Sequence, residues 1–131
     1  MEELMLTLRV ALLDADSRVL IVQNAVEPWD MPGVVTGAAS PLEVLVQELG
    51  QIWQVTTFAK AFFPLTFALD DATGHATLLY GCRNWIGPNT LQRVPERDGV
   101  TLQWVRSARL GDYAVSDACR MMMPVLMQLV G

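Results

Sequence analysis

The run Trp29-Asp30-Met31-Pro32-Gly33-Val34-Val35-Thr36-Gly37-Ala38-Ala39-Ser40-Pro41-Leu42-Glu43-Val44-Leu45-Val46-Gln47-Glu48-Leu49-Gly50-Gln51-Ile52-Trp53-Gln54-Val55 decides how this chain is read. Its approach, from Glu27 and Pro28 to Pro32 and Gly33, holds two prolines that fix φ and remove backbone donors, so it is a shaped loop and not a helix. Ser40-Pro41-Leu42-Glu43 then carries three helix-start signals: a Ser at the cap, Pro at the first helical position, and Glu three residues after the cap. A helix over residues 41–53 follows. Its Val44, Leu45, Leu49, Ile52 and Trp53 recur at helical spacing, so that face is expected in a core.

Upstream, residues 6–13 are rich in apolar and β-branched side chains and run into Asp14-Ala15-Asp16-Ser17, a turn cluster, before a second apolar run over 19–22. This predicts a β-hairpin. Downstream, 57–69 reads as extended chain broken at Pro64, 70–74 as a turn, and 75–85 as a strand. Residues 87–99 are polar and hold two prolines, which predicts a loop, and 101–105 a short strand. Asp117–Val130 reads as a helix that Pro124 either starts or kinks. Helices set among strands, instead of alternating with them one for one, predict an α+β fold with a mixed-sheet sandwich and argue against a doubly wound nucleotide fold.

The 131 residues, 52% apolar and 18% charged, predict one compact domain over residues 1–131 that needs no metal or disulfide staple. Fourteen acidic against nine basic residues give a net charge of −5, so no electrostatic grip on nucleic acid is expected. Cys82 and Cys119 lie 37 positions apart with no CxxC pair, which suggests neither a zinc site nor a disulfide framework. The acidic start Met1-Glu2-Glu3 does not read as a signal peptide, and no apolar run approaches the ~20 residues of a membrane span. A cytoplasmic protein without membrane attachment is the expectation.

A Trp-x-x-Pro-Gly loop leading into a capped amphipathic helix resembles the Nudix hydrolase family. That family's box reads G-x5-E-x7-R-E-U-x-E-E-x-G-U, with U aliphatic, and forms a loop, helix and loop that hold Mg²⁺ against a nucleoside diphosphate group. Over the 23 positions from Gly33 to Val55, the residues Gly33, Glu48, Leu49 and Val55 match. Ala39, Gln47, Gln51, Ile52 and Gln54 stand where the pattern has Glu, Arg, Glu, Glu and Gly. Beyond the box, Phe63-Pro64-Leu65-Thr66-Phe67, Leu79-Tyr80-Gly81-Cys82-Arg83-Asn84-Trp85, Gly99-Val100-Thr101-Leu102-Gln103-Trp104-Val105 and Leu110-Gly111-Asp112-Tyr113 look like the MutT-like branch, which removes pyrophosphate from nucleoside triphosphates. The resemblance implies the Nudix fold, a mixed β-sheet between helices in an α/β/α sandwich.

Positions 48, 51 and 52 share one helix face, where the family places three carboxylates as an all-oxygen Mg²⁺ site. Here that face offers Glu48, Gln51 and Ile52. A unit charge pair at 4 Å is worth about 4 kcal/mol at an effective dielectric of 20, so losing two acids weakens a divalent ion by orders of magnitude even after desolvation losses. The expectation is therefore a nucleotide-binding or interaction domain whose hydrolytic activity is impaired and which needs no cofactor. The competing reading is an active Nudix hydrolase with Mg²⁺ or Mn²⁺ as cofactor, using Glu48 as the catalytic acid residue and Glu48 with Asp98 as metal ligands. Asp98 stands before Gly99 where the branch often has another acid, although a turn explains it equally well. The resemblance also implies nucleotide contacts from Gly33, from Trp29 as a stacking surface and from Cys119, which aligns with the branch's base-reading Asn or Asp. Each has a plain structural alternative in turn geometry or packing. A nucleotide-like small molecule is the expected partner, and a homodimer covering the apolar cleft near Val34 and Ile52 is the remaining possibility for a second one. Met121-Met122-Met123 reads as either core or dimer contact.

Overall fold

The computed structural model describes residues 6–24, 27–37, 40–70, 75–87, 96–97 and 100–130. β1 (Leu6–Leu12) lies inside a four-stranded sheet of order β3-β1-β5-β4. It runs antiparallel to β3 (Gly33–Thr36) and parallel to β5 (His75–Cys82), in register from Leu6 against Ala76 to Leu12 against Cys82. β4 (Phe62–Asp70) is antiparallel to β5 and tolerates Pro64 because it is an edge strand with a bulge between Pro64 and Thr66. A second, antiparallel sheet has the order β2-β7-β6, from β2 (Arg18–Asn24), β6 (Glu96–Arg97) and β7 (Val100–Arg106). The two helices are α1 (Pro41–Ile52) and α2 (Asp117–Val130).

Alternation along β1 places the helices. Leu8, Val10 and Leu12 pack in one apolar layer with Leu45 and Leu49 of α1, whereas Ala11 and Leu13 pack in another with Cys119, Met122 and Leu126 of α2. The helices therefore cover opposite faces, as the α+β sandwich requires. β2 and β7 contribute side chains to both layers in the same way, Leu20 and Leu102 to the first and Ile21 and Val105 to the second.

Several expectations are corrected. β1 and β2 are joined by a tight turn but do not form a hairpin, since they belong to different sheets and share only an isolated bridge between Leu13 and Val19. Both edges of β1 are already taken by β3 and β5, so β2 pairs with β7. The stretch expected as a loop over 87–99 includes β6. Pro124 lies inside α2 and does not start it. α1 begins at Pro41, yet the Ser40 hydroxyl makes no cap bond, and the Ser40 carbonyl instead accepts the N–H groups of Glu43 and Val44 at 3.1 and 3.3 Å. Ile52, expected in the core, is 47% exposed. Of the methionine run, Met122 is buried and Met121 exposed. The turn expected at 70–74 lies outside the described residues beyond Asp70.

α1 ends where the carbonyl of Leu49 accepts two N–H groups, from Trp53 at 3.1 Å and Val55 at 3.0 Å. That reversal needs a left-handed residue, and Gln54 supplies it at φ 55°. The family pattern has glycine there, which takes this conformation without steric penalty. Gln54→Gly is expected to raise stability by about 1 kcal/mol, or roughly 3 °C in Tm by thermal denaturation.

Candidate functional site

The outward face of α1 presents Glu48 half-buried, with Gln47, Gln51 and Ile52 exposed. Three and four residues apart on a helix, positions 48, 51 and 52 are neighbours, so a divalent ion there meets one carboxylate, one amide and one alkyl chain. Mg²⁺ selects hard oxygen ligands, and the alkyl chain offers none. Among the described residues no three His, Cys, Asp or Glu side chains gather closely enough to hold a metal ion. Asp98 lies outside the described residues. The α1 face does not fit the metal that the Nudix box binds elsewhere. Since Gln51 and Ile52 are exposed, acids are tolerated there. Gln51→Glu with Ile52→Glu is expected to tighten Mn²⁺ binding by about 100-fold or more over the parent, read by calorimetry.

On the opposite face of the sheet, β1 carries Arg9 between loop and helix. Its Nη1 donates to the Met31 carbonyl at 3.1 Å, and its Nη2 lies 3.5 Å from Oδ2 of Asp30, whose Oδ1 accepts the Met31 N–H at 2.8 Å. Gly33 pairs with Arg9 across β1 and β3, and any Cβ there would run into the Leu8 carbonyl oxygen and come within 2.8 Å of Cδ of Arg9. Glycine is thus what lets β3 close over this side chain.

Trp29 donates its backbone N–H to Ala114 and accepts from Ser116, each at 2.9 Å, and meets Tyr113 edge-on at 5.6 Å. Ser116 caps α2: its Oγ accepts the Cys119 N–H at 3.2 Å. Cys119 is fully buried, and burial first, then the charge of Asp30, pushes its thiol up to about 12, partly opposed by Arg9. The structure therefore brings Trp29, Gly33 and Cys119 together around the Arg9–Asp30 pair and leaves Glu48 across the sheet from them.

Beside that cluster, a cavity of about 430 Å³ opens between the sheet and the first turn of α2, lined among others by Thr7, Thr77, Asp117, Ala118 and Met121. None of these was singled out from the sequence as a binding residue. The usable signals were a charged Arg9 in a largely apolar strand and an acid at the first position of a capped helix.

Raised in the folded protein above its ordinary value of 9.0, Cys119 keeps its proton while the unfolded chain loses it. Its contribution to stability is complete below pH 9 and falls away as pH rises toward 12. Between those limits the loss is expected to approach about 1.4 kcal/mol per pH unit relative to Cys119→Ala, measured by urea unfolding.

No known family profile matches the chain, and no curated protein does. Solved structures do. A MutT structure from work on Aliivibrio salmonicida and Vibrio cholerae superposes with a TM-score of 0.77 at 16% identity, covering 95% of this chain and 97% of that one. A MutT Nudix hydrolase from Burkholderia pseudomallei does so at 0.65 and 17%, covering 98% and 99%. The Nudix domain of Shewanella oneidensis NrtR, solved with ADP ribose, gives 0.65 and 17%, covering 98% and 90%. The chain has the fold of the MutT-like Nudix hydrolases.

Proposed function

We propose that this chain is a Nudix-fold domain that holds a nucleotide-like ligand in the cleft between the four-stranded sheet and α2, and that it lacks efficient metal-dependent hydrolysis. The observation that carries the second half is the α1 face, where Glu48 stands with Gln51 and Ile52 in place of two further acids. Phosphoanhydride cleavage by a metal-activated water needs the ion held in fixed geometry, and one half-buried carboxylate does not fix it.

The first half rests on the cleft. Thr7 and Thr77 supply hydroxyls and Asp117 a carboxylate, while Ala118 and Met121 supply apolar contact, a mixture suited to a flat heterocycle with hydrogen-bonding edges. Behind it, Trp29 frames the entry to α2, Gly33 keeps β3 against Arg9, and Cys119 is buried in the apolar layer beneath α2. The ADP ribose bound to the NrtR Nudix domain supports a ligand of this class.

Calorimetry with nucleoside triphosphates, ADP ribose and sugar nucleotides, alongside chromatographic assays for pyrophosphate and monophosphate products with Mg²⁺ and Mn²⁺, tests both halves. Binding is expected without added metal and about five-fold weaker in Thr77→Val. Turnover is expected to stay far below the ordinary enzyme range of ~1–10³ s⁻¹. Turnover inside that range that disappears in Glu48→Gln would return the chain to the active hydrolases.

A further inference from the structure

At the far end of β5 from this cleft, some 25 Å along an eight-residue strand, the chain builds a second concave surface. Two extended segments form its walls, joined by paired backbone hydrogen bonds between Thr56 and Ile86 at 2.7 and 2.9 Å and by the Thr57 hydroxyl donating to the Asn84 carbonyl at 2.8 Å. Between them lies a cavity of about 400 Å³. Ile86 and Phe58 stand at its rim 75% and 57% exposed, an unusual placement for large apolar groups on adjoining segments.

Trp85 gives the groove a rigid wall. Its indole N–H donates to the Leu13 carbonyl at 2.9 Å, and its ring stacks on Trp104 at 5.7 Å with 10° between planes. An aromatic surface locked from behind loses little freedom when a partner covers it, the condition under which such residues dominate binding.

The charge here runs against that of the molecule. Arg83 lines the groove and donates to the Ser17 hydroxyl at 3.1 Å, and Lys60 follows Phe58 by two residues on the adjoining 3₁₀ turn; both are exposed, and among the described residues neither is in an ion pair. The acids of the neighbouring turn, Asp14 and Asp16, are engaged by Arg18 at 2.7 and 3.8 Å. A locally basic apolar groove on a chain of net charge −5 selects an acidic partner. It also disfavours a second copy of itself, because a two-fold contact centred on the groove would gather Arg83 and Lys60 of both copies into one interface without added acids.

We infer that the Phe58–Trp85–Ile86 groove is a docking site for an acidic segment of another protein, with an aromatic or branched aliphatic side chain seated in the cavity and flanking Asp or Glu near Arg83 and Lys60. This surface is independent of the nucleotide cleft, so the inference stands or falls separately from the reading of that cleft.

A random peptide display library selected on the whole protein, with Ile86→Asp as counter-bait, tests it. Enriched peptides are expected to place Phe, Trp, Leu or Ile within three residues of Asp or Glu. A synthetic consensus peptide is expected to bind Ile86→Asp at least about tenfold more weakly. Arg83→Glu, on an exposed side chain whose guanidinium donates to the Ser17 hydroxyl at 3.1 Å, is expected to weaken the same peptide about fivefold, and the difference to shrink at 0.5 M salt. The inference is overturned by enrichment no greater than on the counter-bait, by selection of basic peptides, by equal binding to Arg83→Glu, or by ultracentrifugation showing that the groove mediates a dimer lost in Ile86→Asp.

Discussion

β1 is hydrogen-bonded to β3 along one edge and to β5 along the other, while its side chains alternate between two apolar layers. A strand satisfied on both edges cannot accept the next strand, which is why the turn at Asp14–Ser17 sends β2 away to pair with β7. A strand with buried apolar side chains on both faces needs a cover on each. α1 and α2 therefore end on opposite sides, and the residues the sequence links as one candidate site are divided: Glu48 goes with α1, and Cys119 with α2 beside Trp29 and Gly33.

What was legible in the sequence was mostly local. The proline-bearing loop, the start of α1 at Pro41, its end near Trp53 and the span of α2 all follow from backbone chemistry acting over a few residues. The mixed fold was legible as well, from the order of elements. Partner choice among strands was not, because the β1–β2 turn looks the same whether its strands pair or splay. Burial was read too generously on α1: Ile52 repeats at helical spacing with Leu45 and Leu49, yet it falls at the margin of the face and stays half open. Around the cleft, Thr7 and Thr77 become neighbours only through the parallel pairing of β1 with β5, an association of residues far apart in the chain.

The left-handed Gln54 and the α1 face tell one story about departures from the box pattern. Gln54 keeps the geometry that glycine usually serves, at a steric cost, so the loop's shape is retained. Gln51 and Ile52 lie on solvent and alter chemistry without disturbing packing. The fold depends on its interior layers, whereas a metal site of the box type depends on outward-facing groups that the interior does not need, so one can change without the other. Pocket, groove and α1 face then sit on separate parts of the same scaffold, two of them positioned by the opposite ends of β5.

The central claim is that the α1 face is not a divalent-ion site. Mn²⁺ is paramagnetic and broadens amide resonances only near where it resides, so a titration followed in the amide spectrum of the whole protein locates any bound ion directly. Weak, scattered broadening at exposed acids, with residues 44–55 no more affected than the rest, is the predicted result. Selective loss of the signals around Glu48 at micromolar Mn²⁺ would contradict it.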